Sequence, residues 1–206
     1  MTVSGASGTF PIALVRDIQP VSIARAKFMG IELIVWRDDH DRIHVWQDRC
    51  PHRSVRLSAG RNLGDCIQGA YHGWKFGTDG SVIDIPAESH ARREDIRVRT
   101  FPCEVAGGYV WINNGGEPSP PKTFAAANED NFLHPIYVNG PQKAIADALS
   151  EASEFQLWIT PCDDALSLIL GHGSPRSNES SQDMVTRGNH LLNRLRRSFE
   201  MSRLAS

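Results

Sequence analysis

The chain has no long apolar run and no marked excess of charge of either sign. Its 206 residues include 22 Lys and Arg against 24 Asp and Glu, a net charge of −2. No basic surface is therefore expected that would attract nucleic acid or an anionic membrane. No apolar stretch approaches the roughly 20 residues that a membrane-spanning helix needs. The amino terminus also has no basic start followed by an apolar core, unlike a signal peptide. These absences predict a cytoplasmic protein that binds neither nucleic acid nor membrane.

Cysteine is scarce as well. The four cysteines are Cys50, Cys66, Cys103 and Cys162. In a reducing compartment they are not expected to form disulfides. Cys103 and Cys162 have no second ligand type close by in the sequence, so they are interpreted as small core residues. Cys50 differs because His52 lies two positions away.

The first hundred residues have the pattern of short β-strands. Residues 31–37 and 42–48 are rich in Ile, Val and Trp and are separated by polar residues, which predicts a hairpin. Another strand is predicted at residues 82–85, after an Asp-Gly turn. A second pair is predicted between residues 96–100 and 109–112, around two glycines. Strands at this spacing indicate a small antiparallel sandwich or barrel.

The composition changes after residue 113, where a stretch rich in Gly, Pro and Ser begins. It predicts a boundary between a β domain of residues 10–116 and a short α+β tail of residues 117–206. The tail's local patterns predict a short helix, a strand, a polar loop and an amphipathic helix over residues 144–152, 154–159, 171–182 and 183–204. The predicted fold class is therefore mainly β, followed by a small α+β segment.

Two segments carry the residues suited to metal chemistry. The first is CPHR, which contains Cys50 and His52, and the second is GAYHGW, which contains Gly69 and His72. Sixteen residues separate His52 from Gly69. With cysteine at position 69 the pattern would be C-x-H followed by C-x-x-H. Such a set suits a mixed [2Fe-2S] cluster, in which two thiolates hold one iron and two imidazoles hold the other.

Several motifs occur together in the order of one known family. The segments DRCPHRSVRLSAGR, YHGWKFGTDGSV and DIPA lie within roughly residues 11–116. They resemble the Rieske domain of Rieske-type non-heme iron oxygenases, the α subunits of aromatic-ring hydroxylating and demethylating enzymes. The resemblance implies a Rieske-type antiparallel β-sandwich, a [2Fe-2S] cluster and electron transfer in an oxygenase system. It further implies an oxygenase or reductase partner and allows a homo-oligomer.

Carried over by position, the resemblance assigns Cys50 to one iron, and His52 and His72 to the other. The family's fourth ligand falls on Gly69, which has no side chain, so an impaired cluster is predicted. Cys66 is the nearest other sulfur, but alternation along a strand points residues 66 and 69 to opposite faces. Two alternatives stay open: Cys66 as a substitute ligand in a rebuilt loop, or a single zinc or iron ion on Cys50, His52 and His72 with water.

The neighbouring motif residues are interpreted as loop packing: Arg53, Tyr71 and Trp74. The family's separate mononuclear iron is held by two histidines and one carboxylate. No such motif follows residue 116, and the nearest candidate is Asp130 with His134, interpreted as a loop histidine. Mononuclear iron is therefore not expected.

The segments FQLWITPCDDALSL and NHLLNRLRRSFE resemble a late strand and the last helix of the family's catalytic domain. The chain thus resembles an oxygenase that lacks most of that domain. Three functions stay open: an electron-transfer component, a cluster-free interaction module, or a decayed homologue without function.

Overall fold

The structure is a computed structural model that describes residues 8–86, 93–115, 117–120, 129–150 and 152–204. The chain divides into two compact units. The first unit contains residues 15–27 and 31–103, and the second contains residues 1–14, 28–30 and 104–206. The domain boundary proposed at residue 116 stays a prediction, and that residue lies outside the described ones.

The elements follow one another along the described chain as a long series of strands with two α-helices near the end. They are β1 (Thr9–Leu14), β2 (Ile23–Phe28), β3 (Ile31–Arg37), β4 (Ile43–Gln47), β5 (Arg61–Asn62), β6 (Cys66–Gln68), β7 (Lys75–Gly77), β8 (Ser81–Asp84), β9 (Arg93–Arg97), β10 (Thr100–Phe101), β11 (Cys103–Ala106), β12 (Tyr109–Asn113), β13 (Ile136–Val138), α1 (Gln142–Ala148), β14 (Phe155–Pro161), β15 (Ser167–Gly173) and α2 (Ser181–Leu204).

The first unit contains two antiparallel sheets. One has the strand order β10-β4-β3-β2 and the other β5-β6-β7-β8-β9. The division assigns the last residue of β2 to the second unit and the first residue of β11 to the first unit. The predicted β3–β4 hairpin is confirmed, with Arg37 opposite Ile43. Side chains on alternate strand positions build the core, because successive residues of a strand face opposite sides. The most deeply buried include Ile34, Trp36, Trp46, Ile67 and Phe76.

The second predicted strand pair is wrong. Residues 96–100 do not pair with β12. Instead β9 pairs with β8, while β12 lies between β1 and β11. Gly107 and Gly108 have φ angles of 58° and 80°, a conformation that favours glycine and allows a tight turn. The turn returns the chain directly onto β11, so the nearer strand takes the place expected for residues 96–100.

The second unit holds two more antiparallel sheets and both α-helices. The sheets have the orders β1-β12-β11 and β13-β15-β14. The predicted terminal helix is confirmed as α2, and its apolar face contributes Met184, Leu192 and Leu195 to a core with Phe155 and Ile169. The predicted strand at 154–159 corresponds to β14, and the predicted short helix to α1.

The polar loop predicted at residues 171–182 is partly wrong, because β15 continues to Gly173 and α2 begins at Ser181. Gly171 and Gly173 lie opposite Leu157 and Phe155 of β14. A Cβ atom on Gly171 would lie 2.5 Å from the Leu157 side chain. These glycines therefore allow close packing within a strand, which their composition alone does not reveal.

The predicted fold class, mainly β with antiparallel sheets and a short α+β end, is confirmed. No helix in the described ranges is long and apolar enough to cross a bilayer. All four cysteines lie within those ranges and none forms a disulfide. Cys162 is fully buried, while half-buried Cys103 donates to the carbonyl oxygen of Ile43 over 3.3 Å.

Candidate metal centre

Cys50 and His52 lie on a loop that follows β4 and closes on itself. The backbone N–H of Cys50 donates to the carbonyl of Val55 at 2.8 Å, and the N–H of Ser54 donates to the carbonyl of Cys50 at 2.8 Å. These bonds occupy backbone groups that would otherwise remain unpaired in an irregular segment. The first loop therefore holds its cysteine at a defined position above the sheet.

Gly69 and His72 lie on a second loop, which joins β6 to β7. The N–H of Gly69 donates to the carbonyl of Trp74 at 2.9 Å and closes the loop at its base. Gly73 has a φ angle of 68°, a left-handed conformation that suits glycine and turns the chain back towards β7. The two loops together form a shallow recess whose lining includes Cys50, Gly69, Tyr71, His72 and Trp74.

The structure brings the two predicted histidines together. The ring centroids of His52 and His72 are 4.5 Å apart. Trp74 stacks on His52 with a centroid distance of 4.4 Å and an interplanar angle of 7°. The ring centroids of Tyr71 and His72 are 3.9 Å apart, although 66% of the surface of Tyr71 is exposed. The aromatic neighbours interpreted as packing residues therefore limit the orientations of both imidazoles.

The electrostatic surroundings favour the neutral form of His52. Desolvation, followed by the charges of His72 and Arg53, lowers the pKa of His52 below its ordinary value. Each of these effects disfavours a positive imidazolium. A neutral imidazole has the lone pair that metal coordination requires. His52 is thus available as a ligand at neutral pH.

Gly69 supplies no side chain at the fourth ligand position, but the space around it would accommodate one. A Cβ atom built on Gly69 would meet nothing nearer than the Trp74 carbonyl oxygen at 3.7 Å, with Leu57 and Phe76 side chains at 4.0 Å. These are ordinary van der Waals distances. Cys50 and His72 line the recess, and the His52 ring packs against the His72 ring. The two loops therefore supply three candidate ligand residues, one fewer than the four ligands of a Rieske cluster. The chain's own recess residues do not complete that group.

Cys66 is not among the residues that line the recess. It lies on β6, where it is 3% exposed and pairs in register with Gly77. Burial and a hydrogen bond with Asp65 raise the pKa of the Cys66 thiol to about 12. A neutral, buried thiol is a poor metal ligand, since the thiolate is the coordinating form. The structure gives no support to Cys66 as the substitute ligand.

The arrangement also differs from a single-ion site. Bonds of about 2.0–2.3 Å to one zinc ion bring its ligand atoms within roughly 4 Å of one another. The donor atoms of Cys50, His52 and His72 do not all lie within 4.8 Å of one another. Within the described ranges, that closeness is reached only by Asp38, Asp39 and His40. Asp38 there already accepts hydrogen bonds from Arg42 and His40, and its carboxylate lies 3.0 Å from the His44 ring.

Asp130 and His134, the nearest candidates for a mononuclear iron, are not brought into such a group by the part of the chain that the structure describes. Asp130 lies in a short 3-10 turn, and the backbone N–H of His134 donates to the Asn189 side chain at 2.9 Å. This backbone contact connects the segment at His134 to α2.

Asp48 is a residue that the sequence patterns did not single out. Its carboxylate is fully buried and accepts two hydrogen bonds of 2.7 Å, from the backbone N–H and the hydroxyl of Ser58. Arg56 also lies 3.7 Å from it. These contacts join the two ends of the segment that carries Cys50. The signal available in the sequence was an acidic residue at a position that the alternation of side chains along an apolar strand places in the core.

A known domain family and several known proteins have sequences similar to this chain. The Rieske [2Fe-2S] domain family matches residues 8–102. The oxygenase subunit of phthalate 4,5-dioxygenase from Pseudomonas putida is 31% identical over 180 residues, covering 85% of this chain and 37% of that protein. The oxidoreductase NdmD from Pseudomonas putida is 37% identical over 115 residues, covering 54% of this chain and 19% of NdmD. The chain thus spans well under half the length of these curated relatives.

Solved structures share the fold over nearly the whole chain. Apo dicamba monooxygenase superimposes with a TM-score of 0.75 and 16% identity, covering 94% of this chain and 85% of the other. NdmA from Pseudomonas putida CBB5 superimposes with a TM-score of 0.74 and 16% identity, covering 93% and 81%. The Rieske [2Fe-2S] domain predicted from the motifs is confirmed for residues 8–102, the part of this chain that the family matches.

Proposed function

We propose that this chain is an iron–sulfur oxidoreductase component that transfers electrons in a Rieske-type oxygenase system. The observation that carries the proposal is a recess between two closed loops of a Rieske domain, which Cys50 and His72 line and where the His52 ring lies 4.5 Å from the His72 ring. The names of the relatives, an oxygenase subunit and an oxidoreductase, support the same class of function. The proposal includes a cytoplasmic location and an oxygenase or reductase as protein partner.

The roles of the chain's own residues follow from their surroundings. His52 and His72 are the imidazole ligands, and they lie at the exposed ends of their loops, where a partner protein has access. Trp74 holds the His52 ring by stacking, which reduces the side-chain entropy lost on ligation. Cys50 is the thiolate ligand. Because position 69 supplies no donor, the chain by itself leaves this ligand set incomplete.

The test is anaerobic reconstitution of the wild type and of Gly69→Cys, which supplies the missing sulfur. We expect the variant to bind two irons and two sulfides per chain and to give a Rieske-type electron paramagnetic resonance signal. The double variant Gly69→Cys, His72→Ala is the matched control and should lose that signal. Absence of iron and sulfide from a folded Gly69→Cys protein would contradict the proposal.

A second candidate, a cluster-free interaction module, is favoured by the core beneath the loops. Leu57, Ile67 and Phe76 are all 0% exposed and belong to one apolar core made of side chains that are not metal ligands. This core predicts that the domain folds in the metal-free state. The test is thermal unfolding of wild type with and without a chelator, together with co-purification with an oxygenase or reductase. Unfolding by the chelator would exclude this candidate.

A further inference from the structure

Tyr109 and His172 form a hydrogen-bonded pair inside the second unit. The Tyr109 hydroxyl oxygen and His172 Nδ1 lie 3.0 Å apart. Tyr109, on β12, is 0% exposed, and His172, on β15, is half-buried. A buried hydroxyl usually has a hydrogen-bond partner, and a backbone carbonyl or a side-chain amide would be sufficient for that purpose. An imidazole differs from those acceptors because it can also take up the proton.

The protonation states of the two side chains suit a proton transfer from Tyr109 to His172. Burial lowers the pKa of His172 below its ordinary value, so its imidazole is neutral at neutral pH. The ordinary pKa of tyrosine, about 10, keeps the Tyr109 hydroxyl protonated under the same conditions. The distance of 3.0 Å between the two atoms lies within the range of about 2.6–3.2 Å over which a base takes a proton directly. With its lone pair on Nδ1, His172 is therefore a base in contact with the tyrosine hydroxyl.

Two tryptophans extend the pair into a cluster of oxidisable rings. The Trp158 ring centroid lies 4.8 Å from that of Tyr109 and 5.5 Å from that of Trp111. All three side chains are buried. Electrons pass rapidly between aromatic rings in contact, so an electron removed from one ring is replaced from another. The Trp111 indole N–H donates to the carbonyl of Ala106 at 2.9 Å, an acceptor that does not take up a proton. The electron deficiency is therefore expected to settle on Tyr109, which has a base at its hydroxyl.

We propose that Tyr109 is a redox-active tyrosine that gives one electron to an oxygen-centred radical and its hydroxyl proton to His172. In this step the O–H bond of Tyr109 breaks, the proton forms a bond to Nδ1 of His172, and the electron reduces the radical to its anion. The products in the protein are a neutral tyrosyl radical and an imidazolium, whose charge is screened by water at half-buried His172. Because Tyr109 is 0% exposed, its radical cannot couple with a tyrosine of another molecule and is expected to be long-lived. The inference does not depend on the proposed function, since no metal takes part.

The experiment exposes the full-length chain to carbonate radicals, made by flash photolysis of persulfate in excess bicarbonate. The tyrosyl radical is followed by its absorption and by electron paramagnetic resonance. The chain has three tyrosines, so Tyr71→Phe combined with Tyr137→Phe leaves Tyr109 as the source of the signal. We expect this double variant to give a long-lived tyrosyl radical that forms more slowly in deuterium oxide. Adding His172→Gln keeps a hydrogen-bond acceptor but removes the base, and should lower the radical yield several-fold.

The matched control is Tyr109→Phe, which retains the exposed Tyr71 and Tyr137. Its radicals should decay quickly and leave fluorescent dityrosine between chains. The inference is overturned if the folded double variant gives no tyrosyl radical. It is also overturned if His172→Gln leaves the yield unchanged, because the hydrogen bond would then be structural only. Should the double variant not fold, the long-lived part of the signal in wild type and in its His172→Gln variant decides between the same outcomes.

Discussion

Replacing Gly69 by alanine tests whether the backbone at position 69 requires glycine, or whether glycine there only leaves a ligand position without a side chain. Gly69 lies outside the left-handed range of φ, and its N–H bond to the Trp74 carbonyl is one that alanine also makes. The new methyl group would have no neighbour nearer than 3.7 Å. Gly→Ala at such a compatible site stabilises a protein by about 0.4–1 kcal/mol, chiefly by restricting the unfolded chain.

Gly60 is the matched control, because it borders the same sheet directly before β5. A Cβ atom there would lie 2.1 Å from the carbonyl oxygen of Gln68 and 3.0 Å from that of Leu57. Both are backbone atoms, and Gln68 is paired with Arg61 in the sheet. The overlap exceeds 1 Å, so the strand pair must move apart. Overpacking of this kind costs about 1–3 kcal/mol, and the rigid partners place Gly60→Ala near the upper end.

The assay is urea unfolding of metal-free protein, followed by tryptophan fluorescence and far-ultraviolet circular dichroism. The first unit contains Trp36, Trp46 and Trp74 as reporters. We expect a higher unfolding midpoint for Gly69→Ala and a much lower one for Gly60→Ala at similar slopes. A loss of more than about 1 kcal/mol in Gly69→Ala would refute the reasoning, since glycine would then be needed for the backbone itself.

Three further predictions concern the surroundings of the site and the second unit. Asp48→Ala should destabilise the first unit by about 2–4 kcal/mol in urea unfolding, because Ser58 loses two hydrogen bonds to a buried carboxylate; an unchanged midpoint would contradict this role. Cys66, with a pKa of about 12 against an ordinary 9.0, should react with iodoacetamide at pH 8 about a thousandfold more slowly in native than in unfolded protein, as measured by mass spectrometry. Hydrogen bonds from Arg187 lower the pKa of Glu179 to about 2 from 4.5. The contribution of Glu179 to stability is present above pH 4.5 and is lost as the pH falls towards 2. Glu179→Gln should therefore reduce the fall in melting temperature between pH 4.5 and pH 2, and an unchanged fall would count against the pairing.

The ligand motifs were predictable because they depend on residue type and short spacing. The interruption at Gly69 was visible for the same reason, since the absence of a donor is a property of the residue itself. The β3–β4 hairpin was predictable from local composition. The place of β12 between β1 and β11 was not, since β1 lies about a hundred residues away and only packing selects it.

The role of Asp48 could not be derived from the sequence either. Its hydrogen bonds to Ser58 join residues ten positions apart in the sequence, and no periodic pattern describes such a contact. The extension of β15 through Gly171 and Gly173 was missed because glycine is depleted in strands. Here the opposite strand presents Leu157 and Phe155, and a glycine is the residue that fits against them.

The sequence by itself determined the kind of domain, the candidate ligands and the missing donor, because these follow from chemical identity and from the alternation of side chains along short strands. The tertiary structure decided that the His52 and His72 rings meet at 4.5 Å, that Cys66 is buried away from the recess and that a side chain at position 69 would find space. Those outcomes depend on how distant strands and loops pack, and packing is set by contacts that no local pattern contains.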